Sequence, residues 1–434
     1  MPLTKTLTQE SSDAVSDLIV LTILAIVVGI AAGGVCSAFR FALDWVHTLH
    51  RLVIVEIPGP AGLALLVVGG AVATAIAAGL VYRIAPAATG SGIPHVEAVL
   101  AGDLRPAPPP LIPIKFVGGT LAIGAGLALG REGPSVQMGA STGTLIGRLF
   151  RRNWRDRRAL VTAGAGAGLA TAFNSPGAGA IFVLEELVGK FEPRIAMVAL
   201  GASVGAIFVS RTLLGNAPVF TVAEFSAGGV AAQPLFLTFG MLSGLLAVIY
   251  NRSLLATLNL AERIGGPIEL RAAVIGGVIG LLAWFAPDLV GGGDDITQHA
   301  LDGDLPLGLL PAIFLFRLAL GTVSYAAATP GGLFAPMLVL GAVSGLAFGI
   351  ITEHLFPGLG LQPEAFALVG MGAFFAGVVR APLTGIILVT EMTASSGLLV
   401  PLLSSCFGAM FVTEALRDPP IYASLKKRAA LSER

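Results

Sequence analysis

Charged side chains are scarce, 26 basic and 26 acidic among 434 residues, and this excludes a water-soluble globule, in which roughly a quarter of residues carry charge. Cysteine is nearly absent. Cys36 and Cys406 both lie in apolar runs, so neither a disulfide framework nor a cysteine-rich metal site can be built, and no metal is expected. The two signs of charge cancel to a formal net charge of +0, which gives a nucleic-acid partner no electrostatic footing. Long polar segments are missing too. Residues 1–17 form a polar leader, and the short basic tail after Tyr422 leaves no room for a regulatory domain. The first apolar run lacks a small-residue cleavage site and reads as a retained membrane helix, not a signal peptide.

What is abundant is apolar. Hydrophobic residues make up 55% of the chain, the composition of an integral membrane protein. Runs without Asp, Glu, Lys or Arg cover 18–39, 61–82, 159–184, 225–250 and 318–352, each long enough to cross a hydrocarbon layer of about 30 Å. The uncharged runs 116–130, 195–210 and 365–379 are too short for an upright crossing and are punctuated by Gly and Pro, which predicts tilted or broken helices. The 57 glycines suit close helix contact.

The chain repeats itself. Gly130-Arg-Glu-Gly-Pro134 with Gly139, Ala140, Gly143 and Gly147 recurs at the same spacing as Gly332-Leu-Phe-Ala-Pro336 with Gly341, Ala342, Gly345 and Gly349. Further on, Gly164, Gly166, Pro176, Gly179 and Glu185 recur in step as Gly370, Gly372, Pro382, Gly385 and Glu391. Charge indicates orientation, because Lys and Arg collect in cytoplasmic loops. The loop after Gly147 carries Arg148, Arg151, Arg152, Arg155, Arg157 and Arg158 against Asp156 alone, whereas the equivalent loop after Gly349 carries Glu353 and Glu364 and no basic residue before Arg380. Opposite topologies follow: a cytoplasmic leader over 1–17, a first membrane repeat over 18–215, a second, inverted repeat over 216–416, and a basic cytoplasmic segment over 417–434. The expected fold is an all-α polytopic membrane protein with both termini cytoplasmic. Inverted repeats with interrupted helices place a binding site near the midplane.

Three segments have the form of helix starts within membrane territory: Gly90-Ser-Gly-Ile-Pro94, Gly133-Pro134 and Ala335-Pro336, with Ser91 as candidate cap of the first. A helix N-terminus offers unpaired N–H groups and the positive end of its dipole, and three aimed at one point would replace much of an anion's hydration. A Gly-x-Pro segment alone merely begins a helix; the symmetry shared by the second and third favours an anion site. Glu132 lies at a helix start in a region otherwise nearly stripped of charge, and an intramembrane carboxylate is a functional hypothesis by default. Ionised, it competes with an anion for the helix N-terminus; protonated, it lets go. The bland alternative is a surface pair with Arg131. Glu185 has a repeat mate in Glu391, which suggests helix anchoring, whereas Glu186 faces Met392 in the repeat and is assigned proton handling.

At Gly90-Ser-Gly-Ile-Pro94, Gly130-Arg-Glu-Gly-Pro134 and Gly332-Leu-Phe-Ala-Pro336 the sequence resembles the chloride channel (CLC) family, and it looks most like the short prokaryotic proton/chloride exchangers. The resemblance spans 18–425 and includes Lys115-Phe116 and Ala172-Phe-Asn-Ser-Pro176. It implies that the Ser91 and Tyr422 hydroxyls and the amides of Leu333 and Phe334 coordinate chloride, with Gly133 serving an outer site and Ile93 and Arg131 in support. It makes Glu132 the external gate and Glu186 the internal proton-transfer residue. The implied protein is a homodimer in the bacterial inner membrane, lipid-embedded, carrying chloride and protons without cofactor or nucleic acid. A passive voltage- or pH-gated chloride channel and a fluoride/proton antiporter are the rivals, and retention of Ser91 and Tyr422 favours chloride. His95 stands where relatives often have a carboxylate and is expected to be a hydrogen-bonded surface residue. Thr89-Gly-Ser-Gly92 approaches a serine-protease motif. That reading fails because Thr89 replaces the first glycine and none of His47, His50, His95, His299 and His354 lies in a long apolar run where a general base would be needed.

Overall fold

The computed structural model describes residues 3–223, 225 and 229–432, with the side chains of 17–430 among them. Among the described residues the chain is helical without a strand. The first half runs α1 (Leu3–Glu56), α2 (Pro60–Ile84), α3 (Ile93–Ala101), α4 (Leu111–Gly124), α5 (Glu132–Leu149), α6 (Trp154–Phe173), α7 (Pro176–Phe182) and α8 (Pro193–Leu214), with a π-turn over Val183–Leu187. The second half runs α9 (Gln233–Ile264), α10 (Ile268–Phe285), α11 (Asp294–Asp302), α12 (Leu310–Tyr325), α13 (Phe334–Leu355), α14 (Pro363–Val379), α15 (Pro382–Thr393), α16 (Leu399–Ala415) and α17 (Ile421–Ser432). Proline opens many of these at the first or second position, where its missing N–H would be unpaired anyway.

Among the described residues six helices are long and apolar enough to cross a membrane, among them α1 from Asp17, α2, α8, α10 and α13. Outward faces are apolar: Val68 and Val72 on α2 and Val274 on α10 are exposed, as lipid contact requires. Hydroxyls within the buried helices α5 and α6 turn back on carbonyls one turn earlier, as Thr142 does on Met138 and Thr171 on Ala167.

Uncharged runs and helices do not coincide, and four expectations change. Run 159–184 is broken: α6 stops at Asn174, left-handed at φ 54, and Pro176 opens α7. Run 318–352 is likewise two helices, because the Pro330-Gly-Gly loop ends α12 and precedes α13. Run 195–210 belongs to a helix of 22 residues, α8, long enough to span, since Arg194 and Arg211 lie inside its ends. For run 225–250 the helix begins only at Gln233 and continues to Ile264. Absence of charge reports polarity, not backbone continuity, and Gly and Pro decide where a helix stops.

The repeat is visible in the packing. A methyl group on Gly139 would overlap the Gly164 carbonyl, and one on Gly341 would overlap the Gly370 carbonyl, so α5 crosses α6 as closely as α13 crosses α14. The caps match as well, with Asn174 ending α6 and Arg380 ending α14, both at positive φ. The two repeats are then tied crosswise. Glu185 accepts the Leu383 and Thr384 N–H groups at 3.0 and 2.7 Å, in the first turn of α15. Glu391 accepts those of Gly177 and Ala178, both at 3.0 Å, in the first turn of α7. Each carboxylate thus caps a helix of the other repeat.

Removing one cap leaves two amides bare in a region poor in water, a loss of about 1–3 kcal/mol. Glu391→Ala is therefore expected to lower the midpoint of heat-induced loss of the monodisperse peak in size-exclusion chromatography, and Glu185→Ala with Glu391→Ala to lower it further. An unchanged midpoint in the double variant would contradict the cross-capping.

Candidate functional site

Three non-helical loops meet inside the molecule, and their peptide groups pair with one another. Gly90 donates to Thr329 at 3.1 Å and Gly331 to Gly90 at 3.0 Å; Gly130 donates to Gly332 at 2.8 Å and Gly332 to Gly130 at 2.6 Å. Irregular backbone at membrane depth survives only when it is paired within protein. These four bonds supply the pairing, and they bring the starts of α3, α5 and α13 together.

None of the three helices carries a side-chain cap. Ser91 is not the cap of α3; Gly92, left-handed at φ 81, takes that place. The turn leaves the Ser91 hydroxyl fully buried with no hydrogen-bond partner, a costly state unless something else accepts its proton. Lys115, fully buried on α4, fixes this loop by donating to the Ala88 and Gly90 carbonyls at 2.9 and 2.7 Å.

Gly133 packs directly on Ser91, so that a methyl group there would sit 2.5 Å from Ser91 Oγ. Glu132, the first residue of α5, is 1% exposed. Its carboxyl faces its own backbone N–H and that of Ala335 at the start of α13, and Oε2 lacks a hydrogen-bond partner. Arg131 does not pair with it: the guanidinium turns away to the Ala172 carbonyl at 3.2 Å and Asp294 at 3.8 Å. Leu333, Phe334 and Ile93 are fully buried. The Phe334 ring lies against Phe375 at 4.7 Å and near-parallel to Tyr422 at 6.3 Å between centroids. Tyr422, also fully buried, has an unpartnered hydroxyl and lies within electrostatic range of both Glu132 and Glu186.

On one side Glu132 lines a cavity of ≈ 550 Å³ with Arg131, Ala335, Asp44, His47 and Asp294. On the other, Glu186 sits in the π-turn, a distortion absent from the matching helix α15, beside the carboxyl of Glu97 of α3. The sequence reading missed Glu97. A signal was present, because it is the sole formally charged residue between Arg83 and Asp103. His95 is half-buried and makes no hydrogen bond among the described residues, contrary to expectation. Also among the described residues, no group of three or more His, Cys, Asp or Glu is placed to hold a metal.

The arrangement has two carboxylate stations flanking a buried junction of hydroxyls and helix N-termini, and the nearby cations Lys115 and Arg131 turn to carbonyl oxygens. The chain resembles known proteins throughout its length. The family model described as voltage gated chloride channel matches residues 69–414. The chain is 37% identical over 422 residues to an H(+)/Cl(-) exchange transporter ClcA of Yersinia pseudotuberculosis serotype IB (strain PB1/+), covering 94% of this chain and 88% of that protein. Among solved structures it is similar to a slow cyanobacterial Cl−/H+ antiporter, with a TM-score of 0.90, 33% identity and coverage of 95% and 99%. It also matches a CLC-type fluoride/proton antiporter at a TM-score of 0.78 and 22% identity, covering 93% and 97%, a likeness of fold.

Overpacking a close contact costs about 1–3 kcal/mol. Gly133→Ala is therefore expected to push the Ser91 loop aside and weaken halide binding about tenfold or more in an equilibrium titration; unaltered binding would mean that this contact does not shape the pocket.

Proposed function

The chain belongs to the voltage-gated chloride channel family, and from that premise we propose that it exchanges chloride for protons across the membrane. The observation that carries the reading is the uncapped, fully buried junction of α3, α5 and α13, into which a carboxylate rather than a basic residue is set. Chloride is held by the Ser91 and Tyr422 hydroxyls and the amides of Leu333 and Phe334, with the backbone around Gly133 forming an outer station. Helix ends carry partial charges, so they bind an anion firmly enough to select it and weakly enough to release it.

Glu132 competes for the outer station. As a carboxylate it occupies the amides of α5 and α13 that an anion would use; protonated, it loses their attraction and swings toward the cavity. One movement thereby opens the anion path and carries a proton. On the far side Glu186, with Glu97 as its neighbour, takes up or delivers that proton from the cytoplasm. Glu185, engaged with α15, keeps an anchoring part, and Arg131 and Ile93 support the loop geometry.

The chain sits in the bacterial inner membrane with the two repeats, over 18–215 and 216–416, in opposite topology. The leader over 1–17, which from Leu3 on is a backbone extension of α1, and the basic segment over 417–434 face the cytoplasm. It works as a homodimer, a reading supported by the exposed apolar faces of α8 and α16, and as a transporter, not an enzyme, with chloride as its ligand and no cofactor.

Proteoliposomes recording anion and proton flux together test the whole reading: an outward chloride gradient is expected to drive protons uphill, and chloride flux without proton movement would make the protein a passive channel. Two substitutions divide the work. Glu132→Gln is expected to abolish proton coupling and alter chloride flux, so acid-driven exchange surviving in it would remove Glu132 from the gate. In Glu186→Gln chloride should still move while protons stop; normal coupling there would transfer the internal role elsewhere, with Glu97 the first alternative.

A further inference from the structure

Tyrosine is rare in this chain, four in all, yet two of the four border the anion pocket, Tyr422 beside Phe334 and Tyr325 against Ser91. Tyr422 lies within electrostatic range of Tyr325 and Tyr250, and those two of each other. Tyr325 ends α12, immediately before the loop that pairs with Gly90 and Gly130. Its hydroxyl oxygen accepts the Ser91 backbone N–H at 3.3 Å, and a methyl group on Gly90 would lie 2.7 Å from that oxygen. The phenol is therefore in direct contact with the loop that carries the Ser91 hydroxyl.

A phenol has one proton to give as well as lone pairs to offer. The Ser91 amide occupies a lone pair of Tyr325, and among the described residues nothing accepts the Tyr325 proton. The Ser91 and Tyr422 hydroxyls are buried and have no partner at all among the described residues. One unsatisfied hydroxyl in a dry interior costs kilocalories. Hydroxyls set near one another, with protons to give and no acceptor among the described residues, suit an acceptor-only ligand, which a halide is.

We propose that Tyr325 is a further anion ligand: its hydroxyl takes the Ser91 amide proton and donates its own to the same chloride that Ser91 and Tyr422 hold. This rests on the chloride site proposed above. The added donor makes the inner station a three-hydroxyl one, with the Ser91 N–H feeding charge through the phenol toward the anion. A polarised hydroxyl is the stronger donor, so the tyrosine strengthens the site by more than its own contact.

Chloride titration calorimetry on the purified full-length protein in detergent, at constant ionic strength with gluconate as the inert anion, tests it. Tyr325→Phe should weaken chloride binding about tenfold, the value of one hydrogen bond to a charged group. Replacement of Tyr325 by 3-fluorotyrosine, a more acidic phenol, should tighten it. A phenol that merely accepts from Ser91 would instead be a poorer acceptor when fluorinated, and binding would stay level or weaken. Tyr422→Phe serves as the reference arm. If Tyr422→Phe weakens binding while Tyr325→Phe stays within about twofold of the unaltered protein, or if fluorination fails to tighten it, Tyr325 is not a ligand and the site stands without it. If the unaltered protein binds no chloride, the proposed site itself falls.

Discussion

A peptide group at membrane depth must find a partner within the protein, and the loops at Gly90, Gly130 and Gly332 solve this by bonding to one another. The rest of the site follows from that choice. Because the loops are satisfied laterally, the helices they feed start abruptly and without side-chain caps. Three sets of amides are then left pointing into a shared interior that excludes lipid and water. A solution in which Ser91 capped α3 would have consumed the hydroxyl that now faces the pocket.

The buried carboxylates divide into two kinds by what they touch. Glu185 and Glu391 each accept two amides from the opposite repeat and act as tethers. Glu132 and Glu97 each keep a buried oxygen without a partner. A carboxylate whose oxygens are all engaged gains nothing by changing its protonation state, and one with a bare oxygen does. The distinction is therefore between structural and movable acids. The π-turn breaks the regular helix that its repeat counterpart keeps, and sets Glu186 beside Glu97 while Glu185 faces α15.

Much of this was readable from residue order. The Gly-Pro motifs marked helix starts because proline and glycine act locally, and the matched glycines revealed the repeat because close helix crossings tolerate no side chain. Helix boundaries were less readable, since an uncharged stretch such as 318–352 looks continuous until the Pro330-Gly-Gly loop is seen to turn. Contacts between distant segments were unreadable. Nothing local to Tyr325 announces that its hydroxyl meets Ser91, 234 positions away in sequence. Glu97 could have been noticed for its isolation in a charge-poor stretch, but its partner on the π-turn could not. His95 misled because its position in a motif suggested a polar neighbour that the packing does not supply.

The placement of the buried cations explains why the pocket works with partial charges. Lys115 directs its ammonium to the Ala88 and Gly90 carbonyls, and Arg317, equally buried, directs its guanidinium to those of Leu289, Gly291 and Gly292. Both brace loops that border the proposed anion site, and both give hydrogens to carbonyl oxygens, with Arg317 Nε alone left without a partner on that guanidinium among the described residues. A full charge facing a halide at 4 Å would attract it by about 4 kcal/mol even at a moderate effective dielectric, and such attraction slows release. Held back behind carbonyls, the same cations stiffen the loops and lend a diffuse positive potential. The closest approach is left to amides and hydroxyls, from which a carboxylate as near as Glu132 can displace an anion.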